Sequence, residues 1–197
     1  MSSTARGGRR HVSDYYVIPQ ADIKDFLSAW LGDLQTSGHW LADRPDKAAW
    51  LDPCAGGDAK HAASYVQVIK KAFEPDVLDS CDIREDSRAA NKADFLASTM
   101  TGYDVVISNP PFCDAERFIL RSLDAVNGGG FVVMLLRLNF LGSVKRQEFF
   151  KTHMPEAIYV HPRRLSFTSD GKTDSIEYAH FVWRKGKSPK NSKLYFV

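Results

Sequence analysis

In DVVISNPPFCD, Asp104–Asp114, an apolar run stops abruptly at an asparagine, two prolines and an aromatic ring. A short apolar run of this kind reads as a buried strand. Pro110 and Pro111 each fix φ near −65° and offer no N–H, and Asn109 is pushed toward extended geometry by the proline after it. The strand therefore ends in a stiff loop whose available groups are acceptors and a ring: the Asn109 side-chain oxygen, the Ser108–Pro110 carbonyls and an exposed Phe112.

Upstream, KAAWLDP is another apolar run and opens into the glycine-containing loop CAGGDAKH. ASYVQVIKKAF follows as a helix, Pro75 breaks it, and DVLDSCDI reads as a strand. REDSRAANKADFLAS is polar apart from Phe95 and Leu96. Nearer the N-terminus, Ile23, Phe26, Leu27, Trp30, Leu31 and Leu34 recur at helical spacing, and Asp22 can begin that helix. Downstream, AERFILRSLDAV is an amphipathic helix that Gly128–Gly130 terminate, and FVVMLLRLNFL is a long strand. KRQEFFKTHM is a short helix, and the strands EAIYVH and IEYAHFVW are joined by PRRLSFTSDGKTDS.

Strands and helices alternate, which predicts an α/β fold: a mostly parallel, doubly wound sheet with helices on both faces. The last two strands have no helix between them and should pair antiparallel. The 197 residues suit one domain. Residues 1–13, rich in Gly, Ser and Arg, read as a flexible tail, and 14–197 as a single domain with no separate recognition domain.

A net charge of +2 is too small to argue nucleic-acid binding. The basic runs ARGGRRH and RKGKSPKNSK read as solvated tails. Cys54, Cys81 and Cys113 are odd in number and lack metal-ligand spacing, which suits reduced thiols in a cytoplasmic protein. The histidines are scattered, so no metal site is read, and no apolar run is long enough for a membrane helix.

Three further stretches bear on chemistry. LDPCAGG carries a strand into a glycine pair; Gly56 and Gly57 let a ligand approach the backbone, and Asp52 can meet a cationic or donating group. A tight strand-to-helix turn explains the same residues as well. Asp82 closes a strand where an acid commonly bonds ribose, with Ile83 placed against a purine face. Asp94 and Phe95 could reach an adenine edge, or equally be a helix-start charge beside a core ring. The Asn109–Phe112 loop is the strongest. Its acceptors suit the two hydrogens of a planar amine, its ring the base plane. Acceptors in tetrahedral positions draw the amine lone pair toward an electrophile by orientation and charge.

Together DPCAGG, CDI, ADF and ISNPPF resemble the class I S-adenosylmethionine-dependent methyltransferases, over roughly residues 14–185. The Asn-Pro-Pro-Phe loop is most similar to that of DNA adenine-N6 methyltransferases. The resemblance implies a Rossmann-like, seven-stranded sheet with the last strand antiparallel, and S-adenosylmethionine as cofactor. Asp52, Pro53, Gly56 and Gly57 would lie at its methionine end. Asp82 would hold the ribose, Ile83 the adenine face, and Asp94 and Phe95 the adenine edge. Tyr16 and Pro19 stand where the family's N-terminal segment closes over the methionine, with Ile18 in place of the usual Thr. Asn109 and Pro110 would accept the target amine's hydrogens, Pro111 would stiffen the loop, and Phe112 would stack on the base. Asn109 also borders the cofactor. Phe167 would cover the base's far face, and Arg163 and Arg164 would meet phosphates.

The resemblance thus implies an enzyme that methylates adenine N6 in DNA; the compactness of the chain suggests a phage-type form, acting in the cytoplasm of a bacterium or an infected host. The same loop also serves enzymes acting on RNA (adenine N6 or guanine N2) and on protein glutamine amide. A non-catalytic cofactor-binding or nucleic-acid-binding module is the reading from a different class.

Overall fold

The computed structural model describes residues 17–166 and 176–197. The expected tail, Tyr16 and Phe167 lie outside them. Eight strands form one sheet: β1 (Ala49–Asp52), β2 (Val77–Asp82), β3 (Asn91–Lys92), β4 (Tyr103–Ser108), β5 (Val126–Arg137), β6 (Ala157–Val160), β7 (Tyr178–Arg184) and β8 (Lys193–Phe196). Their order is β3-β2-β1-β4-β5-β7-β6-β8. The helices are α1 (Gln20–Thr36), α2 (Trp40–Asp43), α3 (Ser64–Phe73), α4 (Ala115–Ala125) and α5 (Gln147–Thr152).

The five strands β1 to β5 are mutually parallel, and β7 runs antiparallel to both β5 and β6. The antiparallel pairing of the last long strands is as the missing helix between them requires. The chain winds from β1 outward through β2, then returns to place β4 on β1's other side. The strand order therefore reverses between the carboxyl ends of β1 and β4, which is where open α/β sheets bind ligands.

Central strands are buried on both faces, and alternate residues divide between two cores. Val105, Ile107, Val133 and Leu135 pack with Phe26, Trp30, Tyr65 and Ile69 of α1 and α3. Val106, Val132, Met134 and Phe181 pack with Phe118 and Ile119 of α4, beside Phe149 and Phe150 of α5. Helices thus cover both faces. α1 is pinned across the sheet: Phe26 stacks on His180 at 3.9 Å between ring centres, and the Tyr159 hydroxyl donates to Asp33 Oδ2 at 2.6 Å.

Three sequence expectations need correction. The sheet has eight strands, not the seven the resemblance implied: β3 and β8 join, at its edges, the six strands read from the sequence. The run RKGKSPKNSK is not merely a solvated tail: its final Lys193 starts β8, which pairs parallel with β6 and stacks Tyr195 on Tyr159 at 4.8 Å. Gly128–Gly130 do not end a helix in coil, since α4 stops at Ala125 and the glycines lie inside β5. Gly130 is required by proximity: a Cβ there would lie 2.9 Å from the Asp104 carbonyl oxygen of the neighbouring strand. Among the described residues no helix is long and apolar enough to cross a membrane, and no His, Cys, Asp or Glu group is arranged to hold a metal ion.

Candidate active site

A cleft of about 280 Å³ opens at the strand-order reversal, and the ends of β1, β2 and β4 supply its walls. That is close to the roughly 300 Å³ lower bound of small-molecule clefts. A second, much smaller recess of about 20 Å³ adjoins it, and Cys54 and Asn109 line both.

The loop after β1 is held by its neighbours rather than by its own sequence. The Gly56 N–H donates to Asp82 Oδ2 at 2.8 Å, and the Ala55 N–H to the Cys81 carbonyl at 3.0 Å. Gly56 and Gly57 adopt φ of 62° and 76°, conformations that suit glycine. At Gly57 packing forbids a side chain as well: a Cβ would stand 2.7 Å from Arg88 Cγ. Both glycines line the small recess with Ile18 and Tyr65.

Asp82 is buried yet reaches the larger cleft. Its second oxygen, Oδ1, accepts from the Arg84 N–H at 2.8 Å. Each oxygen keeps a lone pair, so the carboxylate can still accept from a ligand hydroxyl. Ile83 is 66% exposed beside it, an apolar surface open to a ring. Asp94 caps a short 3-10 turn by accepting from the Leu96 N–H at 2.9 Å, and it too borders the cleft. Phe95 is a buried core ring, stacked with Phe118 at 5.9 Å, and it also lines the cleft.

Asp52 lies under the loop, not on the cleft wall. It is 1% exposed; its Oδ1 accepts from Ser108 Oγ at 2.6 Å and from the Cys54 N–H at 3.2 Å. Its Oδ2 is buried without a partner. Burial pushes this carboxyl up to about 7, with the Ser108 and Cys54 hydrogen bonds only partly opposing it.

The Asn109–Phe112 loop forms the opposite wall. Asn109, Pro110, Pro111 and Phe112 all border the larger cleft, and Asn109 Oδ1 is buried with no hydrogen-bond partner. A buried acceptor left open in this way costs free energy unless a ligand supplies the donor. Phe112 differs from the exposed ring expected. It is half-buried, tilted against Tyr178 at 5.8 Å, and the Arg137 guanidinium covers one ring face at 4.7 Å.

The other expected residues lie apart. Pro19 caps α1 and borders neither cleft; its neighbour Ile18 does. Arg163 and Arg164 are exposed in the turn after β6, outside both clefts, and Arg164 faces Glu177 at 3.5 Å. Sequence reasoning missed Cys54, whose N–H donates to both Asp52 Oδ1 and Ser108 Oγ, and Arg137. An arginine closing a long apolar strand was the available signal for the latter.

No protein-family model and no curated protein matches the sequence. Solved structures do match the fold. A Listeria monocytogenes protein assigned to the class I S-adenosylmethionine-dependent methyltransferases aligns with a TM-score of 0.66 at 16% identity, over 95% of this chain and 67% of that one. A Thermotoga maritima S-adenosylmethionine-dependent O-methyltransferase aligns at 0.59 and 12% identity, over 91% and 70%. The M protein of the type I restriction enzyme EcoKI aligns at 0.56 and 14% identity, over 77% of this chain and 44% of its own, so this chain spans less than half of it. The fold is thus the Rossmann-like fold of methyltransferases.

Proposed function

We propose that this chain is an S-adenosylmethionine-dependent methyltransferase that modifies the exocyclic N6 amine of adenine in DNA. One observation carries the reading. Asn109 presents a buried, unpaired acceptor where the larger cleft meets the smaller recess, in a loop stiffened by two prolines.

The residues present fit the cofactor. Asp82 would accept from ribose hydroxyls, Ile83 would cover the adenine face, and Asp94 would take its amine; the glycine loop and Asp52 lie toward the methionine end. Bound there, the cofactor supplies an electrophilic methyl group on a positively charged sulfur. Asn109 accepts from the target amine and, with the adjoining carbonyls, turns its lone pair out of the ring plane. Phe112 orients the base. The loop contributes position and charge complementarity, and no group of matched pKa is needed at the amine itself. Similarity to a restriction-enzyme M protein supports DNA as the polymer.

Transfer of a labelled methyl group to unmethylated DNA, followed by digestion, should yield N6-methyladenine. Label found only in RNA would replace DNA by RNA as the substrate. Cofactor binding without transfer to either polymer would reduce the chain to a binding module.

A further inference from the structure

We infer that Arg137 is the anchor for a backbone phosphate of the nucleic-acid substrate, a role that rests on the reading above. Arg137 is the last residue of β5. The last β4–β5 pair joins Ser108 to Met134. From Met134 to Arg137 the strand rises roughly 10 Å, at about 3.3 Å per residue. Arg137 therefore stands level with the loop that follows β4, opposite Tyr178 of β7.

Its surroundings are unusual for a cation. The residue is half-buried and its Nε is hidden from solvent without a hydrogen-bond partner. Among the described residues no carboxylate pairs with its guanidinium, which lies over the Phe112 ring, 4.7 Å from its centre. The arginines that line the cleft are engaged differently: Arg84 meets Asp86 at 2.8 Å and Arg117 meets Asp114 at 3.0 Å. A guanidinium partly removed from water without an anion is held at a cost that cation–π contact offsets only in part. Its planar fork matches two phosphate oxygens, and its position beside the base platform is that of a nucleotide's own backbone.

The placement has a second consequence. Arg137 covers one face of Phe112, the ring that orients the base in the reading above. A base that stacks on that face draws the guanidinium aside, and its phosphate supplies the attraction. Arg137 acts as a positioning residue that exchanges a ring for an anion as substrate arrives.

The test uses the full chain, an adenine-containing DNA duplex, and single-stranded DNA and RNA of the same sequence, titrated across a range of salt concentrations. Arg137→Met should weaken binding roughly tenfold on every sequence tested. It should also lower the slope of log affinity against log salt by about one phosphate's worth. Arg137→Lys should retain most of that slope. Thermal unfolding of Arg137→Met should be unchanged or higher, since an unpaired cation has been removed. An unchanged slope, a marked fall in thermal stability, or weakened S-adenosylmethionine binding with nucleic-acid binding intact would each overturn the assignment. Failure of the unaltered protein to bind any of the three polymers would instead overturn the substrate reading, and the Arg137 role with it.

Discussion

Ser108 Oγ donates to Asp52 Oδ1 at 2.6 Å, tying the carboxyl end of β4 to that of β1. The bond fixes the two strand ends that flank the cleft, and it leaves Asp52 Oδ2 buried and unpaired.

Burial pushes the Asp52 carboxyl up to about 7 in the folded chain, from an ordinary value near 3.8. Between those values the native state keeps a proton that the unfolded state releases, so this group makes stability fall as pH rises through the window. Asp52→Asn keeps an acceptor for Ser108 and removes the titration. Thermal unfolding at pH 5 and pH 8 should show the unaltered protein losing more stability than the variant on going to the higher pH. Equal losses would show that Asp52 does not titrate in that range.

The buried histidines act in the opposite sense. Tyr65 Oη lies 2.8 Å from His180 Nε2, and His180 Nδ1 lies 2.8 Å from His161 Nε2. Burial holds His161 down to about 4 and His180 well below its usual range, with Asp25 partly raising the former. Below 6.5 the unfolded chain gains protons that the native pair resists, so this contribution to stability is lost as pH falls toward 4. Tyr65→Phe strands His180 Nε2 and should cost about 1–3 kcal/mol in urea denaturation at pH 7. A variant as stable as the parent would mean the hydroxyl contributes nothing there.

Asn109→Ala removes the open acceptor at the junction of the two clefts. Methyl transfer should fall about 10²–10³-fold, the scale of losing one preorganised polar contact at a reacting centre. S-adenosylmethionine affinity, read by calorimetry, should change little. Parallel loss of both would make the loop a structural element.

Gly57→Ala introduces a Cβ at φ 76°, against Arg88 Cγ at 2.7 Å and the Ala63 backbone nitrogen at 2.9 Å. Arg88 also donates from Nε to the Asp58 carbonyl and from an amino group to the Ala59 carbonyl. Displacing it should cost about 1–3 kcal/mol of stability, measurable by denaturant unfolding, and should weaken cofactor binding. Unchanged stability would show that the loop can relax around a methyl group.

Strands with strong apolar runs, such as Val105–Ile107 and Phe131–Leu136, were legible because only a buried strand accounts for them. β3 was not, since Asn91 and Lys92 are polar and gain strand geometry from pairing with Cys81 and Asp82. β8 was hidden for a similar reason: Lys193–Phe196 shows no alternating pattern and owes its place to β6. At the site, Asn109, Asp82 and Ile83 could be read from local order. The retreat of Asp52 beneath the loop depends on Ser108, and the covering of Phe112 depends on Arg137; both are partners from other strands, which no local pattern reports.

β7 sits between β5 and β6, although β6 precedes it in the chain. As the polypeptide grows from its N-terminus, β5 emerges with one long apolar edge bare, and β6 has nowhere to dock until Tyr178–Arg184 has been made. A chain halted in that interval carries an open template for pairing with other chains. In the cell such a product is a substrate for chaperones and proteases, and the stretch from Leu138 to Arg184 decides whether the earlier strands survive.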